Sequence, residues 1–315
     1  MDNFQKISRF LVVLSFLLIH GSCDTTPEIT DAMLDGNLIF DPSLDRPEDF
    51  LLSLSKPNPT PAEASKPVFI LMHGYSASTF EWEEFRTWFA NTPDYFLSFV
   101  LLGRHGRTYE DFKRATWRDW QNSIRQEYER LVAAGYTNIN FAGSSASCSL
   151  LIDLIHSNYF SGKVIPRNIF LVDPIIIPSS KTLSLAPLVG PIIGYIESDN
   201  TLEEDKYWYR FRPQETLQEL NKLLTRVRKQ LENGIQLPSN CSLKVYKSII
   251  DPTADPVSAV LINKGLKTST GAPITVQMID SDLHVFTRLN LRQSVSQKDR
   301  ANQISAFEDF VARVR

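Results

Sequence analysis

The chain has 315 residues, enough for one large domain or two small ones with a substantial core. Hydrophobic residues at 43% and charged residues at 22% form an ordinary globular mixture, which excludes a disordered or collagen-like chain. Lys+Arg of 33 against Asp+Glu of 36 gives a net charge of -3, so no strong basic field draws in a nucleic-acid backbone, and 3 Cys are too few for a disulfide scaffold.

At the N-terminus, Lys6 and Arg9 precede the apolar run Phe10–Ile19. That run is half the ~20 residues a membrane-spanning helix needs, and small residues follow it, as in a signal peptide. Ile19-His20-Gly21-Ser22-Cys23 resembles a bacterial lipobox, with His20 where an aliphatic residue is usual. The resemblance implies removal of residues 1–22 and lipidation of Cys23. It also implies export, and membrane anchoring through the lipid as a lipoprotein of the cell envelope. Residues 23–66 read as an acidic, Pro-rich tether, extended and solvated over Lys56–Lys66.

From Pro67 onward, strands and helices alternate. Short apolar runs bounded by turn residues predict buried strands at Val68–Met72, Leu97–Leu102, Asn138–Ala142, Ile169–Val172, Leu243–Ile250 and Ile274–Ile279. Between them, Trp117, Trp120, Ile124, Tyr128 and Leu131 share one helical face, closed by Gly135. Such alternation predicts an α/β fold, with a mostly parallel sheet flanked by helices. The rhythm breaks between Val172 and Leu243, where about seventy residues show no strand signal. This insertion opens on the apolar run Leu183–Ile196 and ends in a helix marked by Leu217, Leu220, Leu224, Val227 and Leu231. Lying past a strand's C-terminal end, it reads as a cap over the crevice where α/β ligands bind.

The chemistry is expected at Gly143-Ser144-Ser145-Ala146-Ser147, where a strand enters a helix with almost no loop. A nucleophile held on so tight a turn needs small residues two positions to either side, here Gly143 and Ser147. The helix start beneath it favours developing negative charge. A serine needs a base. His20 leaves with the signal, His73 and His105 read as structural, and His156 sits three turns down the serine's own helix. His284, just past the last strand, remains. An acid must orient it. Asp255 is favoured, with Asp251 its close rival in the same loop and Asp173 a third choice. The Ala146 N–H should form half of an oxyanion hole, and Tyr75, after the first strand, should supply the other half.

Phe69–Tyr75, Leu102-Gly103-Arg104-His105-Gly106, Gly143–Ser147, Asp255-Pro256-Val257 and His284 occur in the order of the α/β-hydrolase superfamily. Together they resemble its carboxylesterase and monoacylglycerol-lipase group over roughly Pro67–Arg315. The resemblance implies the α/β-hydrolase fold for 67–315, with a small, mainly helical cap, 175–240, after the family's sixth strand. It implies a serine hydrolase acting on carboxylic esters through an acyl-enzyme on Ser145. Related acyl transfer, thioester or peptide cleavage uses the same residues, and a non-catalytic lipoprotein on this fold is the other alternative. The tether and the apolar run at Leu183–Ile196 suggest a lipid or medium-chain ester as the small-molecule substrate. No nucleotide loop and no metal motif appears, so no cofactor and no metal are expected. Cys148 and Cys241 are left open as a pair.

Overall fold

A computed structural model describes residues 58–89, 95–180 and 194–314. The signal segment, the lipidation candidate Cys23, most of the tether and most of the apolar run at Leu183–Ile196 lie outside the described residues.

In chain order the strands are β1 (Val68–Met72), β2 (Phe96–Val100), β3 (Ile139–Ser144), β4 (Asn168–Val172), β5 (Tyr195–Glu197), β6 (Phe211–Pro213), β7 (Ile235–Gln236), β8 (Ser242–Ser248), β9 (Leu266–Lys267) and β10 (Thr275–Ile279). The helices are α1 (Pro61–Ala64), α2 (Glu83–Phe89), α3 (Tyr109–Lys113), α4 (Trp117–Ala133), α5 (Ala146–His156), α6 (Gln214–Asn233), α7 (Val257–Gly265) and α8 (Gln297–Val314). Six strands pair in the order β10-β8-β4-β3-β1-β2, and every pairing in that sheet is parallel.

The central strands are apolar on both faces because both faces are covered. In β1, Val68, Ile70 and Met72 enter one core and Phe69 and Leu71 the other. The first core packs the sheet against α4, α5, α6 and α7; Trp117, Trp120, Ile124, Tyr128 and Leu131 supply the α4 face. The second packs it against α2 and α8, through Phe85, Phe89, Phe307 and Phe310. Helix α4 begins on a Thr116–Asp119 capping box and ends where Gly135 N–H bonds Val132 O and Tyr136 N–H bonds Leu131 O.

The long insertion departs from expectation in its secondary structure. It contains strands: β5 and β6 form a two-stranded antiparallel ribbon. Three residues per strand are too few to show a period in the sequence. Its terminal helix α6 joins the main core. Leu220, Leu223, Leu224, Val227 and Leu231 are buried in the main core, and the helix packs beside α5 and α7 as part of the flank. Among the described residues, no helix is long and apolar enough to cross a membrane.

Candidate active site

Parallel pairing brings the C-terminal ends of β1, β3, β4 and β8 to one edge, with Met72 beside Gly143, Ser144 beside Val172 and Val172 beside Tyr246. Ser145 lies at that edge, between β3 and α5. Its backbone, at φ 53° and ψ −115°, is forced out of the regions an L-residue prefers. Its N–H donates to Val172 O at 3.0 Å, which holds the bend in place. The neighbours must be small: a Cβ on Gly143 would stand 2.9 Å from Ser147 Oγ. Ser147, where the usual motif has glycine, fits because its hydroxyl has work of its own. It accepts from Ser144 N–H at 2.9 Å and lies 3.0 Å from Met72 O.

His284 reaches Ser145 from the loop after β10, its Nε2 2.9 Å from Ser145 Oγ. Its Nδ1 lies 2.9 Å from Asp251 Oδ2. Asp251 is therefore the acid at His284, and the expectation of Asp255 is corrected. Asp255 Oδ1 accepts instead from Val257 N–H at 2.8 Å, opening α7. The reason is the turn after β8. Asp251 stands three residues beyond the strand end and faces the crevice, whereas Asp255 faces the next helix. Asp173, the third candidate, is spent elsewhere: it accepts from Ser248 N–H at 2.7 Å and Phe286 N–H at 3.1 Å, bracing the loop that carries His284.

Asp251 is saturated as an acceptor. Oδ1 takes Thr253 N–H at 2.8 Å and Ala254 N–H at 2.9 Å; Oδ2 takes His284 and the ammonium of Lys247. Burial alone would raise its pKa, but the His284 hydrogen bond and the Lys247 ammonium help to outweigh it and hold the carboxyl at about 2. Ionised, it can only accept, so Nδ1 of His284 carries the proton and Nε2 faces the serine hydroxyl with a lone pair. Lys247 is fully buried between Asp251 and Asp173, 3.4 Å from the latter.

Tyr75 and Ala146 both line the cavity above Ser145. Ala146 is the first residue of α5, so its N–H has no intrahelical acceptor. The Tyr75 ring packs inward, with its hydroxyl 2.7 Å from Thr216 Oγ1 on α6, and Gly74 before it lies against the serine. Gly74 makes that approach feasible: a Cβ there would lie 3.0 Å from Ser145 Cβ. Glu81, which the sequence did not flag, lies beneath this loop and is almost fully buried. It accepts from Gly74 N–H at 2.8 Å and from Ser144 Oγ, tying the loop to the serine turn.

No family model matches the sequence, and no curated protein matches it either. Solved structures do match. One comes from a study of LipS and LipT, two metagenome-derived lipolytic enzymes. It superposes with a TM-score of 0.64 at 16% identity, over 80% of this chain and 94% of that one. A monoacylglycerol lipase of Paleococcus ferrophilus gives 0.58 at 12% identity, over 79% and 96%. A soluble variant of the Saccharomyces cerevisiae monoglyceride lipase gives 0.56 at 12%, over 82% and 88%. The chain has the α/β-hydrolase fold.

The remaining sequence-picked residues take structural places in this α/β-hydrolase fold. His73 and His105 are buried beneath the loop that holds Tyr75. His73 Nδ1–H donates to Gly74 O at 2.8 Å while Nε2 accepts from Leu102 N–H at 3.0 Å. Burial lowers its pKa to about 4, against a smaller opposing pull from Glu81, and the ring stays neutral near pH 7. His105 Nε2 accepts from Ser76 N–H at 3.1 Å, and burial drives its pKa well down. Cys148 and Cys241 are free thiols; burial pushes the pKa of Cys148 far up, so it stays protonated behind the serine. Among the described residues, no cluster of His, Cys, Asp or Glu could hold a metal ion.

Above the serine, an α/β-hydrolase crevice opens as a cavity of about 410 Å³, within the range of small-molecule sites. Ile175, Trp208 and Leu220 form apolar parts of its wall; Ser198, Asn200, Glu204, Arg212, Arg288 and Arg292 form polar parts. The insertion contributes both kinds.

Proposed function

We propose that the protein is a serine hydrolase of carboxylic esters, working through Ser145, His284 and Asp251. One observation carries this reading. A strained serine at the C-terminal sheet edge hydrogen-bonds a histidine, whose other nitrogen bonds a buried, ionised carboxylate. The three residues come from loops after three different strands, the geometry of nucleophile, base and orienting acid.

In the reaction, the ester carbonyl sits above Ser145. Its oxygen points at the N–H groups of Ala146 and Tyr75. As Ser145 Oγ attacks, its proton passes to His284 Nε2, and Asp251 stabilises the imidazolium across the Nδ1–H bond. The two backbone donors and the start of α5 stabilise the oxyanion. The alcohol leaves with the proton from His284. A water molecule then repeats the sequence on the acyl-enzyme, and the carboxylic acid is released. The 410 Å³ cavity admits a short or medium-chain ester, with Ile175, Trp208 and Leu220 as apolar contacts for its hydrocarbon part.

A fluorophosphonate probe tests the assignment directly. The wild-type protein is expected to label at Ser145, and Ser145→Ala to lose all labelling. Labelling that survives in the alanine variant would place the nucleophile elsewhere.

A further inference from the structure

The charges around the serine cavity do not all have partners. Glu81 is committed to Gly74 N–H and Ser144 Oγ, and Arg292 gains electrostatically from it. Glu204 lies 3.4 Å from Arg288, which also lies over the Trp208 ring. Asp282 is exposed at the mouth. Arg212 is different. It stands in β6 opposite Ile196 and lines the cavity together with Ser145. Its Nη2 donates to Ser198 Oγ at 3.1 Å. Its Nε is buried with no acceptor, and no carboxylate lies within ion-pair distance among the described residues. Burial lowers its pKa, opposed only by the nearby Tyr75 phenol.

A guanidinium in that state has unspent donors in a fork that matches a carboxylate. Its desolvation is compensated only when an anion arrives. The neighbouring groups are suited to one: Ser198 and Asn200 bring further polar atoms to the same wall. We propose that Arg212 receives a carboxylate carried by the substrate itself, so that this active site takes anionic esters rather than neutral ones. The carboxylate belongs either to the acyl half, as in a half-ester of a dicarboxylic acid, or to the alcohol half. The apolar wall of Ile175, Trp208 and Leu220 then takes the hydrocarbon between the acid and the ester. This inference rests on the ester-hydrolase reading of the site and names its substrate class.

Two arms separate the two halves of the ester. In the first, 4-nitrophenyl hydrogen glutarate is compared with 4-nitrophenyl pentanoate. In the second, 4-acetoxybenzoate is compared with its methyl ester. In one arm the anion is expected to be favoured roughly 10- to 100-fold in kcat/KM, the worth of a charge-assisted hydrogen bond. The ratio should collapse toward one in Arg212→Gln and be partly kept in Arg212→Lys, with each variant's fold checked by thermal melting. A neutral preference in both arms, or an anion preference that survives in Arg212→Gln, overturns the proposal while Ser145 labelling leaves the hydrolase reading standing. Failure of every ester together with failure of labelling overturns both.

Discussion

Asp251 and Asp255 lie four residues apart in one loop, and exchanging each for asparagine separates their roles. In Asp251→Asn the amide no longer holds the Nδ1–H tautomer of His284, and turnover should fall by about 10⁴-fold. The same change takes one of two carboxylates from the fully buried Lys247. Breaking a buried pair costs about 3–5 kcal/mol, and Asp173, still 3.4 Å away, keeps the loss near the lower end. A drop of that size lowers the melting temperature by roughly 10 °C for a domain this large. Asp255→Asn keeps an oxygen for Val257 N–H, so both activity and melting temperature should stay close to wild type. Single-turnover hydrolysis of 4-nitrophenyl butyrate, with thermal melts of each variant, reads both effects. Loss of activity in Asp255→Asn with activity kept in Asp251→Asn would refute the geometry.

Further predictions concern the loop and the buried histidines. Gly74→Ala puts a methyl group 3.0 Å from Ser145 Cβ, so turnover should drop at least ~10-fold, with much smaller change in the melting temperature. An unchanged rate would mean that the loop retreats freely. The His73 pKa of about 4 lies below its unfolded value of 6.5, so between those values the unfolded chain binds the extra proton. Stability should therefore fall as pH drops from 6.5 toward 4, by roughly 3 kcal/mol from this ring alone. His105 adds to the loss in the same direction. Urea unfolding at pH 7.5, 6 and 5 measures it, and a flat profile would contradict the buried neutral rings. Asp251 acts at lower pH. Its contribution is complete above the unfolded pKa near 3.8 and vanishes as pH falls through about 2, so it leaves the window above pH 5 unaffected.

The sheet was legible because each central strand is apolar on both faces, and Val68–Met72 buries all five of its residues. Ser145 was legible because its backbone tolerates only small residues at Gly143 and Ser147. His284 followed by elimination from five histidines. The acid was not legible. Asp251 and Asp255 both precede proline, and only the turn after β8 decides which one faces the histidine. Glu81 and Lys247 were hidden for a different reason. Charged residues read as solvated by default, and no sequence pattern marks these two as buried, one under the Gly74 loop and one behind Asp251. The ribbon of β5 and β6 was hidden by its brevity, and with it the placement of Arg212.

The link from Tyr75 to Thr216 bears on how such a protein could be remodelled. Tyr209 N–H also donates to Ser76 O at 2.9 Å, so the insertion grips the loop beside the serine at two points. Substrate range and reactivity are therefore not separate modules. Grafting a foreign segment between β4 and β8 to change selectivity would unlatch the loop proposed to carry an oxyanion donor unless the graft restores both grips.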